Sequence, residues 1–296
     1  MGALHDGHLS LVRMAASSPL SCERIVVSIF VNPAQFAPHE DLASYPRTLP
    51  RDLELLRSLT YRSLSLTPPP GFTPDSPVVH AVIAPTVSEL YPSGISTDVQ
   101  EQRGAFVEVV GLSHQLEGTV RPHFFRGVAT VVTKLLNAAQ ADVAIFGQKD
   151  AQQCCVVRRM VRDLLIPTRI VVGATSRERD GLAMSSRNAY LSPAERAVAP
   201  VLHRALAAAK DKFESGEQSA AEVVRAAREV LDAEAARTAS TVGLTVQYVS
   251  LSDPETLEDL VTVAPESEGG KGGLLSAAVG IGKTRLIDNE LLGFKF

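Results

Sequence analysis

The sequence predicts an α/β protein, a doubly wound parallel sheet followed by a smaller α+β domain. Short apolar, β-branched runs alternate with amphipathic helical segments up to about residue 175, the pattern of strands covered by helices. Beyond that point two long helical stretches come first and strand-like segments follow, an order that belongs to an α+β unit. The 296 residues exceed one typical domain, and the expected division is 1–175 and 176–296.

Each element has its own signal. HLSLVRMAAS (8–17) sets Leu9, Val12 and Ala16 on one helical face. RIVVSIFV (24–31) reads as a strand buried on both sides and stopped by Asn32 and Pro33. A short helix is expected over 51–59. TPPPGFTPDSP (67–77), with five prolines and one glycine, reads as an irregular surface excursion, after which HAVIAP resumes a strand. AFVEVVG is a further strand, RGVATVVTKLLNAAQ a helix, DVAIFG a strand, DAQQCCVVRRMVRDLL a helix and TRIVVG a strand. In the second half, 193–213 and 219–236 read as Ala- and Glu-rich helices. LTVQYVSL, a GGKGG loop, LLSAAVG and TRLIDN follow.

Composition narrows the function. A net charge of −4, from 29 basic and 33 acidic residues, gives no footprint for nucleic acid. No apolar run approaches the roughly 18 to 20 residues of a membrane span, and three cysteines, two of them adjacent, suit reduced thiols rather than disulfides or a metal site. A soluble cytoplasmic protein is expected.

Three clusters can carry chemistry. In MGALHDGH, His5 and His8 lie three apart at a helix start with Gly7 between them. Unpaired N–H groups, the helix dipole and imidazole donors there make a seat for phosphate, or the pair is a capped surface turn. Two histidines without a third ligand leave a metal site incomplete. GQKD (147–150) follows a strand, which places Lys149 where open α/β sheets bind ligands; a solvated loop lysine fits as well. DGLAMSSRNAYLS (180–192) offers Ser185, Ser186 and the donor fork of Arg187 near the domain boundary, or a helix cap. GIGKT (280–284) is not a P-loop, because Ala277 stands where that motif needs glycine.

Taken together, MGALHDGH, FVNPAQF, EDLASYPRT, LEG with RPHFFRGVATVVTKL, FGQKDAQQ, DGLAMSSRNAYLS and TRLIDN resemble, in order and spacing, the pantothenate synthetases. These are nucleotidyl transferases marked by HxGH and a KMSKS-like loop, here MSSR. The resemblance spans nearly the whole chain. It implies a Rossmann-like first domain, a C-terminal lid domain, a homodimer, and ATP-dependent condensation of pantoate with β-alanine through a pantoyl adenylate, with Mg²⁺. Carried over, it assigns ATP to Met1, Gly2, Ala3, Leu4, His5, Asp6, Gly7, His8, Gly147, Gln148, Lys149, Asp150, Ser176, Met184, Ser185, Ser186 and Arg187. It assigns pantoate to Gln35, with β-alanine as a further contact of that residue, and to Gln153, and proton donation to His8. His5, Lys149 and Arg187 join His8 in neutralising the departing pyrophosphate.

The sequence departs from that pattern at His123 and Phe124 of RPHFF, where Gly-His is usual, at Gln148 for glutamate and at Ala151 for an aromatic residue. Members also carry an apolar strand running into Pro-Thr before this methionine. The expectation is therefore a natural chain that begins upstream, or a poorly held ATP site that binds ATP weakly. Two other readings stay open: another HxGH-type transferase, or a catalytically impaired homologue.

Overall fold

A computed structural model describes residues 2–38 and 40–296. In chain order the elements are α1 (Asp6–Ala16), β1 (Val26–Ser28), α2 (Leu49–Ser58), β2 (Ala81–Ile83), α3 (Val87–Leu90), α4 (Glu117–Val120) and α5 (Phe124–Ala139). They continue with β3 (Val143–Gly147), α6 (Ala151–Asp163), β4 (Arg169–Gly173), α7 (Pro193–Val198), α8 (Val201–Glu214), α9 (Ala220–Thr238), β5 (Leu244–Ser252), β6 (Gly273–Ile281) and β7 (Thr284–Leu292). The chain divides into two compact units. The first comprises Met1–His114, Gly118–Gly147 and Val156–Gly173; the second comprises Gln115–Glu117, Gln148–Cys155 and Ala174–Phe296.

In the first unit the strands pair in parallel, as β1 with β2 and β3 with β4. The apolar face of α1, through Leu9, Val12 and Ala15, joins Leu4, Val27, Ile29, Leu56 and Val78 in one core. α1 also crosses the carboxyl ends of β3 and β4. A Cβ on Gly173 would lie 2.6 Å from Leu11 Cδ2, so the tips of Leu11 and Met14 rest against the end of β4 and would have to shift for any larger residue.

Two local expectations change, and a third is found as expected with anchoring contacts added. RIVVSIFV keeps only Val26–Ser28 in a ladder, and Val26 is 45% exposed while Val27 is buried, so this strand has one covered face and one open one. AFVEVVG forms no strand: the Val107 N–H donates to Thr130 Oγ1 on α5 at 2.9 Å, and Phe106 lies under the Arg126 guanidinium. A helix side chain has taken the hydrogen bond a sheet partner would have made. The 67–77 excursion is irregular but anchored, since Phe72 packs edge-on against His80 with ring centroids 5.0 Å apart and Arg62 pairs with Asp75.

The second unit is an antiparallel sheet, β5-β6-β7, with α8 and α9 against it. Eight of the nine residues of β6 are buried, and Leu206, Val223, Leu231, Leu275, Val279 and Ile281 form the centre of its core. GIGKT is the tight turn of the β6–β7 hairpin, with Ile281 paired to Thr284 and Gly282 at φ +56°, as such a turn requires. Among the described residues no helix is long and apolar enough to cross a membrane.

Candidate active site

In the first unit the two histidines close the start of α1 on themselves. His5 is the N-cap, and its Nδ1 accepts from the Gly7 N–H at 3.2 Å. His8, at the third helical position, accepts on Nδ1 from the His5 N–H at 3.3 Å. This is a capping box built from imidazoles instead of the usual hydroxyl and carboxylate. A neutral ring whose Nδ1 accepts carries its proton on Nε2, so both rings, with centroids 4.1 Å apart, are set as Nε2–H donors. The cap engages Nδ1 of each ring, so the capped turn and the phosphate seat, alternatives in the sequence, do not exclude one another. The turn is tethered by Asp52 of α2, a fully buried carboxylate that accepts from the Leu4 N–H at 2.8 Å and the Thr48 hydroxyl at 3.0 Å. Ala3 and Leu4 are buried and Asp6 is exposed. Met1 lies outside the described residues.

Gln35 closes a single helical turn, Pro33–Gln35, capped by Asn32. Asn32 Nδ2 donates to Gln35 Oε1 and to the Gly127 carbonyl, both at 3.0 Å. Because that carbonyl can only accept, Asn32 Oδ1 must face the Tyr91 hydroxyl, which donates to it at 2.6 Å. Burial pushes the Tyr91 phenol up to about 12, so it stays a donor at neutral pH. With its oxygen taken, Gln35 presents its NH₂ as a donor toward a carboxylate or hydroxyl. Arg121 reinforces the turn, donating to the Gln35 carbonyl at 3.0 Å and to both oxygens of Glu40 at 2.6 and 2.8 Å. Gly147 ends β3, facing Gly173.

In the second unit Gln148, Lys149 and Asp150 form one turn of 3₁₀ helix, with Lys149 Nζ 3.5 Å from Asp150 Oδ1. Gln153 is half-buried on α6. The Ser176 carbonyl accepts from the Met184 N–H at 2.9 Å, closing a hairpin-like loop. Ser185 caps the short helix Ser186–Tyr190 by accepting from the Arg187 N–H at 3.2 Å. No three of the His, Cys, Asp and Glu side chains among the described residues are grouped to hold a metal.

Tyr91, Asn32, Asp52 and Arg121 are not singled out by the sequence. Asn32 and Arg121 sit inside FVNPAQF and RPHFF, but the contacts that give these four meaning are distant in the chain.

A sequence profile for pantoate-beta-alanine ligase matches residues 1–291. The chain belongs to the pantoate-beta-alanine ligase family. Among curated members, the pantothenate synthetase of Chloroflexus aggregans is 48% identical over 293 residues, covering 99% of this chain and 91% of that one. The pantothenate synthetase of Herpetosiphon aurantiacus is 46% identical at the same coverage. The crystal structure of the Thermus thermophilus pantothenate synthetase superposes with a TM-score of 0.79 at 40% identity, over 98% of this chain and 90% of that one. The Francisella tularensis pantoate-beta-alanine ligase, crystallised with beta-gamma ATP and beta-alanine, gives 0.68 at 29% identity, over 98% and 87%. The fold class is thus that of the pantoate-beta-alanine ligases, a Rossmann-like α/β domain with a small C-terminal sheet, and the enzyme is an ATP-dependent ligase.

Proposed function

We propose that this pantoate-beta-alanine ligase works through a pantoyl adenylate held by the residues above. A pantoate carboxylate oxygen attacks the α-phosphorus of ATP, which enters as its Mg²⁺ complex, and the bond to the β-phosphate breaks to release pyrophosphate. The β-alanine amine then attacks the acyl carbon, loses a proton, and AMP departs with the former carboxylate oxygen. A carboxylate is already a nucleophile at neutral pH, so alignment and charge neutralisation are what the protein supplies.

His5 and His8 donate through Nε2 to the phosphates, and His8 is the proton donor. Lys149 and Arg187 neutralise the departing pyrophosphate and Ser185 and Ser186 donate hydroxyl hydrogen bonds to it, with Gly2, Ala3, Leu4, Asp6, Gly7, Gly147, Gln148, Asp150, Ser176 and Met184 lining the nucleotide. Gln35 and Gln153 bind pantoate. The observation that carries this reading is the histidine pair, whose Nδ1 atoms are spent on the helix start and whose Nε2–H groups are thereby set as donors. The enzyme is proposed to act in the cytoplasm as a homodimer, as the family resemblance implies.

AMP release should require pantoate and β-alanine together. Release with a different acceptor would indicate another transferase, and dependence on neither an impaired homologue. Lys149→Ala should slow adenylate formation about 100-fold or more while preformed adenylate still reacts with amine at a near-normal rate; equal loss in both steps would remove Lys149 from the pyrophosphate.

A further inference from the structure

TRLIDN has no role in the chemistry above, yet it carries two of the most buried polar side chains in the second unit. Asp288 and Asn289 of β7 are 3% and 2% exposed, in a strand whose neighbour β6 is almost wholly apolar. Burying an amide and a carboxylate there is unfavourable unless each is fully engaged. Both are engaged with segments that carry proposed phosphate ligands.

Asn289 Nδ2 donates to the carbonyls of Gln148 and Lys149, each at 2.9 Å, and Gln148 Nε2 returns a bond to Asn289 Oδ1 at 3.3 Å. The backbone of Lys149 is therefore fixed by one side-chain amide. Asp288 receives the Arg177 guanidinium, at 2.5 Å to Oδ2 and 3.2 Å to Oδ1, and Arg177 Nη1 also donates to the Gly181 carbonyl at 3.1 Å. Arg177 pairs with Ala183, and Ser176 with Met184, so this anchor reaches the residues directly before Ser185, Ser186 and Arg187. Glu290 adds a longer contact to Arg177 at 3.4 Å.

We propose that Asp288 and Asn289 are positioning residues for adenylate formation, two neighbours on one strand that set the spacing between Lys149 and the 184–187 segment. The inference rests on the reading of Lys149 and Arg187 as phosphate ligands. Charge neutralisation at the departing pyrophosphate demands that both be in place at once, and an error of about 1 Å in such a group can cost roughly 100-fold. The amine step releases AMP and needs no such pair.

The test is single-turnover kinetics on the full chain. Asn289→Asp keeps the shape but sets a carboxylate against two carbonyl oxygens; Arg177→Lys keeps the charge but loses the fork. Each is expected to slow adenylate formation from ATP and pantoate by about 10- to 100-fold, with the reaction of preformed pantoyl adenylate and β-alanine changed less than about twofold. Lys149→Ala combined with Asn289→Asp should be no slower than Lys149→Ala alone, because the amide acts through the lysine. Equal slowing of both steps, full additivity, or failure of both variants to fold would make these residues merely structural and overturn the proposal. Normal kinetics in Asn289→Asp beside a slow Lys149→Ala overturns it alone. A Lys149→Ala enzyme with normal adenylate formation overturns the underlying assignment, and this inference with it.

Discussion

A histidine has two nitrogens, and in the proposed reading His8 divides them between structure and chemistry. Nδ1 accepts the His5 N–H at 3.3 Å, which in a neutral ring leaves the proton on Nε2. Asparagine can reproduce the first function, since its Oδ1 occupies roughly the place of Nδ1, but has nothing at Nε2. His8→Asn should therefore keep most of the stability and lose about 100-fold or more in adenylate formation, the cost of removing one preorganised donor. His8→Gln should do the reverse, weakening the cap by about 1 kcal/mol while retaining part of the rate. Thermal melts and single-turnover rates of the two variants check this, and an unimpaired His8→Asn enzyme would refute the donor role. The spacing of His5 and His8 draws attention to them in the sequence but leaves a capped turn and a phosphate seat both open. The division of labour is not legible there, because it depends on which backbone N–H each ring faces.

At the scale of elements, α5 shows how a helix can serve a site through the residue it lacks. Gly127 lies within the helix, where glycine is about 1 kcal/mol worse than alanine. A Cβ there would stand 2.3 Å from the Ala34 carbonyl oxygen and 2.6 Å from its carbon. These are backbone atoms of the turn that carries Gln35, so the turn itself would have to move. Gly127→Ala is predicted to raise the pantoate KM roughly tenfold or more despite its better helix propensity, with the ATP KM little changed. Steady-state kinetics with each substrate varied separately distinguishes the two outcomes, and an unchanged pantoate KM would show that the turn yields without disturbing Gln35. The RGVATVVTKLLNAAQ segment is plain as a helix from its periodicity. AFVEVVG misleads for the same reason, since its apolar residues fit a strand while the Val107 N–H goes to Thr130 on α5. Local pattern reports which residues are buried, and it leaves open what satisfies the backbone.

Over the whole molecule, the first unit holds a histidine below its ordinary pKa, whereas the second is marked by lowered carboxylates. Motif order along the chain makes the family legible, and alternating strands and helices make the α/β class legible; the division of the chain into units with interleaved segments is not, because 115–117 and 148–155 join the second unit only through long-range contacts. That division has a consequence for acid stability. In the first unit, His80 Nδ1 accepts the Ile25 N–H at 3.1 Å, and burial, aided by the Arg24 charge, holds its pKa below the ordinary histidine value. Above about pH 6.5 the ring is neutral in both folded and unfolded chains, and its full contribution is present. Below that, the unfolded chain takes up a proton the folded ring resists, so stability falls as pH drops through the depressed folded value. In the second unit the groups held off their ordinary values include the carboxylates Asp180, Glu195 and Glu234, all lowered by hydrogen bonds from Arg196, from the Ser192 backbone and from Arg237 respectively. Their contributions persist until pH falls below about 4. Hydrogen exchange at pH 7 and pH 5.5, corrected for the intrinsic rate, should therefore show protection lost across β1 and β2 and kept across β6, whose residues are almost all buried. His80→Asn, which retains an acceptor but does not titrate, should flatten the response of β1 and β2. Equal loss of protection in both units, or an unchanged response in His80→Asn, would mean that the two cores open together and that His80 is not the group that couples the first of them to pH.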